Sequence, residues 1–462
     1  MKKDDLYLLL SRLSKEEKAY INKKLSTFKE NSVLKCLFED VCLYGTHSKT
    51  NTDAFIEQKY GKHFRTRKKQ LYYTILKILR NYHDTLIHQI HFYIIDINFL
   101  FEKGLFEQAR KLLKKAKKLA EHNQITPLYF ELLYLELRMS YYTYYDNLTP
   151  EKINQIRADF SHYHQILKED TDWALTTAEQ LRDFFASGHF SNPKTYPLTA
   201  KGHLSFIQQH IIAGLTCRTQ LDFEKSYSYR SSLWEYFKKY PELISLYPEM
   251  YLTAINMVII GTNDLRKYTE SLVVLDELSV QNIKAEIAQI EVFRIQATYY
   301  TQTHNFMQNY EVAYLNIEKQ IQHPFYEEIH VIDKQLLHLH FAVACLGYQD
   351  YHKSIYYCYK VLNEEGNINV MALSLFLLLV AHLAQGDKEA IHIITQQYHN
   401  IPFQELFYVN CTKILTSSKT KPSDTLRKIL NEYTKYDIKS RFVWEKYVNI
   451  ELLIAKILSH IV

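Results

Sequence analysis

Hydrophobic positions along this chain recur at helical spacing. Within residues 64–91, Leu71, Ile75, Ile78, Leu79 and Tyr82 fall on one face, while Arg65, Lys69, Lys77 and Arg80 fall opposite. The pattern predicts one long helix from about Phe64 to His91. Ahead of it, Ser14-Lys-Glu-Glu17 has the form of a capping box, a hydroxyl before the helix and a Glu three residues on. Further helices are expected over about Val33–Tyr44 and Asp53–Tyr60, with Thr46–Thr52 as a polar turn and Gly61 as a stop. Residues 1–90 read as a small helical N-terminal unit.

Beyond residue 90 a unit repeats: an apolar helix, a short polar turn, an aromatic, two polar residues, a small residue, then an amphipathic helix. Phe106-Glu-Gln-Ala109, Phe223-Glu-Lys-Ser226, Tyr268-Thr-Glu-Ser271 and Tyr351-His-Lys-Ser354 carry it, with Phe306-Met-Gln-Asn309 and Asp387-Lys-Glu-Ala390 as weaker copies. From Phe223 the spacings are 45, 38, 45 and 36 residues. The first gap, 117 residues, has room for three units of 39. Such a period means helical hairpins stacked in a row. Residues 91–400 form this repeat region. Residues 401–462 form a capping region, with a loop at Thr416–Ser423 and helices at Leu426–Tyr436 and Arg441–Ser459. Lys435, Lys439, Lys446 and Lys456 suit its polar outer face.

The run Phe99-Leu-Phe-Glu-Lys-Gly104-Leu-Phe106-Glu-Gln-Ala109-Arg-Lys-Leu-Leu113-Lys-Lys-Ala116 resembles the tetratricopeptide repeat family. Gly104 matches its turn glycine, Phe106 its aromatic, and Ala109 and Ala116 its small positions. Gly214, Ala297 and Ala342 match the small residue of the first helix, which Ile97 and Ile259 replace elsewhere. The closing proline is mostly absent and the units exceed 34 residues, so the likeness is to a divergent, tetratricopeptide-repeat-like member. Leu13-Ser-Lys-Glu-Glu-Lys-Ala-Tyr20 together with Phe101-Glu-Lys-Gly104 also resembles uncharacterised bacterial repeat proteins. The resemblance implies an all-α, right-handed solenoid of stacked helical hairpins, and no activity.

Composition agrees with long helices. Glycine occurs 10 times and proline 9 times in 462 residues, about 2% each. Sandwiches, barrels and dinucleotide-binding folds need more turn residues than this. The net charge of +5 is uneven. Residues 1–124 hold 25 Lys and Arg against 14 Asp and Glu, net +11, and the remainder is net −6. Six scattered cysteines without C-x-x-C spacing read as small buried hydrophobes in a reducing, cytoplasmic setting. The start is too acidic and its apolar run too short for a signal peptide. Val370–Ala384 is apolar but spans 15 residues, fewer than the ~20 that cross a bilayer. It is expected to be a buried helix, so no membrane insertion is foreseen.

The chain contains no phosphate-binding glycine loop and no H-E-x-x-H or G-x-S-x-G motif. Glu327-x-x-His330 and Glu389-x-x-His392 have the spacing of helical di-iron sites. Yet 21 His and 32 Glu over 462 positions give about 1.5 such pairs by chance, and these two lie 62 residues apart. They are expected to be ordinary residues, so no metal and no cofactor is foreseen. Two surfaces remain as candidates for binding. Arg65, Lys69, Lys77 and Arg80, with the run Arg110–Lys118, suit a polyanion or an acidic partner. Tyr134, Tyr141 and Tyr142, in a chain with 38 tyrosines, suit an aromatic groove.

The function expected on this reading is a non-enzymatic protein–protein interaction scaffold that binds a partner protein or peptide in the concave repeat surface. The alternatives are a nucleic-acid-binding regulator, with the basic N-terminal region on DNA and the repeats as sensor, and a helical metalloenzyme. Weak, non-specific polyanion binding is expected of the basic end.

Overall fold

A computed structural model describes residues 5–27, 32–44, 59–82, 85–142, 149–187, 202–280, 286–364, 367–398, 414, 421–436 and 445–461. Every regular element among them is helical, so the all-α expectation is met. The chain divides into two compact units, residues 1–168 and 169–462.

In the first unit, α1 (Asp5–Arg12), α2 (Lys15–Ser26), α3 (Ser32–Tyr44) and α4 (Phe64–Arg80) close around Leu6, Leu10, Ile21, Leu25, Leu37, Leu71 and Ile75. The capping box forms as expected. Glu17 N donates to Ser14 Oγ at 3.1 Å, and Ser14 N donates to Glu17 Oε2 at 2.7 Å. The helix expected over 64–91 is interrupted. It stops at Asn81, and Thr85 caps a new helix, α5 (Leu86–Glu102), its hydroxyl accepting from His88 N at 3.3 Å. Tyr82 therefore lies past the end of α4, with its ring 4.9 Å from that of Tyr20. The turn at 46–52 and most of the helix expected at 53–60 lie outside the described residues.

Next come α6 (Phe106–His122), α7 (Thr126–Tyr142) and α8 (Pro150–Ser187). The 117-residue gap thus does not hold three units of 39. Its described part is α6, α7, one helix of 38 residues, α8, and the helix His203–Thr219; no Gly or left-handed stop interrupts 150–187.

The second unit continues with α9 (His203–Thr219), α10 (Phe223–Lys239), α11 (Glu242–Leu246), α12 (Pro248–Asp264), α13 (Tyr268–Val280), α14 (Glu286–Phe306), α15 (Tyr310–Ile321), α16 (Val331–Tyr348), α17 (Tyr351–Leu362), α18 (Ile368–Ala384) and α19 (Lys388–Gln397). Helices α20 (Pro422–Tyr433) and α21 (Ile450–Ile461) complete it. The pairs α9/α10, α12/α13, α14/α15, α16/α17 and α18/α19 are hairpins. The first helix of each hairpin packs on the first helix of the next, and each second helix packs on the first helix that follows it. Helix α18 is buried along nearly its whole length, as its apolar run implied. Among the described residues no helix is long and apolar enough to cross a membrane.

One turn closes these hairpins. The N–H of residues 105, 125, 222, 267, 309, 350 and 387 donates to the carbonyl five residues earlier, at 2.8–3.0 Å. The residue before each lies in the left-handed region and donates three residues back. This is the Schellman stop. Glycine fills it only at Gly104 and Gly386. The others are Gln124, Leu221, Arg266, Gln308 and Gln349, with φ from 49° to 74°. Scarcity of glycine therefore does not mean scarcity of tight turns here.

The next helix starts two residues after each left-handed residue, which fixes the repeat register. Phe106, Phe223, Tyr268 and Tyr351 each open a second helix, as their spacing predicts. Phe306 does not. It ends α14, and Tyr310 takes the opening position, with its ring over Gly347 where any Cβ would collide. The small residue of that unit is then Ala313, and the facing first-helix position is Thr301 instead of Ala297. In the last hairpin Asp387 is the cap, its carboxylate accepting from Ala390 N, so the unit begins one residue later than expected.

The tail differs from expectation as well. Pro422 is the first residue of α20, not part of a loop, and residues 416–420 are outside the described set. Helix α21 starts at Ile450, and residues 446–449 precede it in a turn and irregular backbone after helical Glu445.

Candidate functional site

Arg65, Lys69, Lys77 and Arg80 all project into solvent from α4, opposite buried Leu71, Ile75 and Leu79. None of the four has an ion-pair partner among the described residues. Lys68, in the same basic run, does not join them. It is buried, with its ammonium 4.1 Å from the centre of the Tyr7 ring. On α6 the basic run is divided too. Arg110 pairs with Glu107, and Lys117 pairs with Glu136 at 2.7 Å, a carboxylate that Lys152 also approaches at 3.0 Å. Lys111, Lys114 and Lys118 stay exposed.

Tyr134 is exposed on α7 beside exposed Glu131 and Arg138. The side chains of Tyr141 and Tyr142 lie outside the described residues. Tyr129, in the same aromatic stretch, is buried against Tyr163 at a ring distance of 4.2 Å, which is packing.

The two Glu-x-x-His pairs have separate local roles. Glu327 sits in a short 3₁₀ turn, Tyr326–Glu328, and pairs with Lys334 at 2.7 Å. His330 caps α16, its Nδ1 accepting from Ile332 N at 3.4 Å. The pair therefore does not share an α-helical face. Glu389 and His392 are exposed on α19. Among the described residues no group of three or more His, Cys, Asp or Glu is arranged to hold a metal ion. Cys217, Cys345 and Cys358 are buried as expected, but Cys36 is exposed. Cys411 lies outside the described residues.

A feature the sequence did not single out lies along the first helices of the second unit. Polar side chains are enclosed there in number: Thr262 and Asn263 on α12; Thr298, Thr301, Gln302, Thr303, His304 and Asn305 on α14; Gln335, His338 and His340 on α16. Some satisfy one another. Ser271 Oγ donates to Asn263 Oδ1 at 2.7 Å, and Asn305 Nδ2 donates to the His340 carbonyl at 3.0 Å. Others have polar atoms with no partner among the described residues: Thr298 Oγ1, His304 Nδ1, Asn305 Oδ1 and both ring nitrogens of His340. Burial drives the His340 imidazole down to about 3 and that of His338 to about 4, so both rings are neutral at ordinary pH.

At the ends of these helices, Arg218 of α9 forms a two-bond pair with Asp264 of α12, at 2.6 and 3.0 Å. Arg230 is buried beside them, its chain lying against Gly214 and Gly261 and its Nη1 donating to the Met257 carbonyl at 3.0 Å. Burial and the neighbouring Arg218 lower its pKa to about 9. The segment Glu445–Asn449 comes to this place. Gln302 Nε2 donates to the Lys446 carbonyl at 2.9 Å, and Tyr447 is in electrostatic reach of Arg218 and Tyr299. Lys446 is thus half-buried at this contact and is not simply a capping charge.

The second helices carry a different feature. Val273, Leu315, Tyr356 and Ile393 each stand five residues into α13, α15, α17 and α19, and each is more than half exposed. Four consecutive hairpins thus show a large apolar side chain at one register position. The signal was in the sequence, but only the corrected register lines it up. Comparison of the chain with protein-family models, with curated proteins and with solved structures finds no match in any of the three.

Proposed function

We propose that this protein is a non-enzymatic interaction scaffold, a divergent tetratricopeptide-repeat-like solenoid whose concave side is made by the first helices of its hairpins and binds a partner peptide or protein. The observation that carries the reading is the row of enclosed polar side chains on α12, α14 and α16, several with atoms left unpaired. Burying an unpaired polar atom costs about 1–3 kcal/mol, which an apolar residue would avoid. Such a row has a use where it meets main-chain groups of an extended ligand. The test is recovery of the full chain with its partner from the native cell, followed by amide exchange on the complex. Protection gained in α12 and α14 supports the reading. Protection confined to unit 1 refutes it.

A second reading has its own observation, the unpaired basic face of α4. Lys and Arg of this kind bind phosphates through counterion release without reading sequence. In a nucleic-acid-binding regulator that face would hold DNA while the repeats sense a peptide. Nanomolar, sequence-selective duplex binding at physiological salt would favour it over the scaffold.

A further inference from the structure

One position of the row on the first helices, Gln302, is met in this structure by a part of the same chain. The segment Glu445–Asn449 lies between α20 and α21, with Glu445 helical and residues 446–449 in a turn and irregular backbone. Its Lys446 carbonyl accepts from Gln302 Nε2 at 2.9 Å, across 144 residues of sequence. Its Tyr447 packs against the hydrophobic core and lies in electrostatic reach of Arg218 and Tyr299. Glu445 accepts from the Tyr433 hydroxyl at 2.9 Å, which ties the segment back to α20. Helix α21 behind it packs on α16, with Ile450, Leu453, Ile454 and Ile457 in the core.

We propose that Glu445–Asn449 is a built-in occupant of the face made by Arg218, Asp264, Thr298 and Gln302, and that an extended peptide with an aromatic residue in the place of Tyr447 displaces it. The proposal rests on the scaffold reading and names its ligand class. Three features of the contact point to an exchangeable ligand. The Gln302 bond is to a main-chain carbonyl, which any extended peptide offers. Thr298 and Asn305 share the Gln302 side of α14 and keep polar atoms unpaired, so the segment leaves hydrogen-bonding capacity that a longer peptide would use. The anchor is one aromatic side chain within electrostatic reach of Arg218, and aromatic and Arg side chains are common at the centre of protein interfaces. Release of the segment withdraws Val448 from the core and Tyr447 from its edge, while Ile450, Leu453, Ile454 and Ile457 of α21 hold the chain that follows.

A tethered occupant acts at an effective concentration of about 1 mM, and so masks the face from peptides in trans. The test uses the full chain and a fluorescent peptide Glu-Lys-Tyr-Val-Asn-Ile, the sequence of residues 445–450. Tyr447→Ala should tighten peptide binding at least about tenfold over the unaltered chain. Adding Gln302→Leu should remove that gain. A folded Tyr447→Ala protein that binds the peptide no better than the unaltered chain overturns the proposal. If the variant does not fold, trypsin cleavage after Lys446 in the unaltered chain decides. Cleavage that is insensitive to low urea supports a releasable segment. Cleavage that needs global unfolding, with its urea dependence, overturns it. Either failure leaves the scaffold reading standing if a partner still protects α12 and α14.

Discussion

Ser354 donates its hydroxyl to the carbonyl of Ala342, 2.9 Å away and twelve residues earlier, and so pins the second helix of a hairpin to the first. Ser226 does the same to Gly214 at 2.7 Å in another hairpin, again across twelve residues. Both serines are buried. The helix crossing is therefore fixed by a small residue on each side and one hydrogen bond between them. Ser354→Ala should cost about 0.5–1.5 kcal/mol, the worth of that bond. Ala342→Phe should cost about 1–3 kcal/mol by overpacking the crossing. Urea unfolding reads both. An unchanged midpoint for Ala342→Phe would place the crossing elsewhere.

The hairpin turns predict a gain. Gln349 and Leu221 hold φ of 74° and 62° at the Schellman stop, a backbone region that costs a residue with a Cβ about 1 kcal/mol. Gln349→Gly and Leu221→Gly should each raise stability by up to about 1 kcal/mol, with loss of unfolded-chain restriction offsetting part. Thermal unfolding of the single and double variants checks this. A lowered melting midpoint for both would refute the assignment of the stop.

Stability should fall with acid in a defined window. The His338 and His340 imidazoles titrate near 4 and 3 in the folded chain, below the ordinary 6.5, chiefly because they are buried. Below pH 6.5 the unfolded chain binds protons there that the folded chain does not. Stability is thus complete above that pH and drops by up to about 1.4 kcal/mol per pH unit for each ring as pH falls toward the folded values. His340→Leu should flatten the slope, since its ring nitrogens have no partner among the described residues. Chemical unfolding at pH 7, 6 and 5 measures it, and an identical slope in the variant would contradict the account.

On the basic face of α4, Arg65→Glu with Lys69→Glu should weaken heparin and duplex DNA binding together, because neither contact reads bases. Competition between the two polyanions at rising salt is the measurement. Loss of DNA binding with heparin binding intact would indicate a specific nucleic-acid site.

Helices were legible where an apolar stripe met a cap, as at Ser14-Glu17, and where an aromatic opened a second helix, as at Phe106, Phe223, Tyr268 and Tyr351. Two ambiguities defeated the local pattern. The spacing of Ile78, Tyr82 and Leu86 continues at four residues straight through the break that Thr85 caps, so periodicity alone ran α4 into α5. Phe306 and Tyr310 are both aromatic and four apart, and only the left-handed Gln308 between them settles which opens the helix. A glycine there would have announced the turn. The first-helix row was out of reach for another reason. Its meaning depends on Lys446 meeting Gln302 from 144 residues away, and no local pattern encodes that contact.

The most direct measurement is site-specific photo-crosslinking of the full chain in its native cell. A benzophenone side chain would replace Asn256 or Tyr300, half-buried on the first helices α12 and α14, or Leu315 or Tyr356 on the exposed ridge of α15 and α17. The account predicts a discrete partner adduct from positions 256 and 300. Adducts from 315 and 356, with none from 256 and 300, would contradict it and move the binding surface to the second helices.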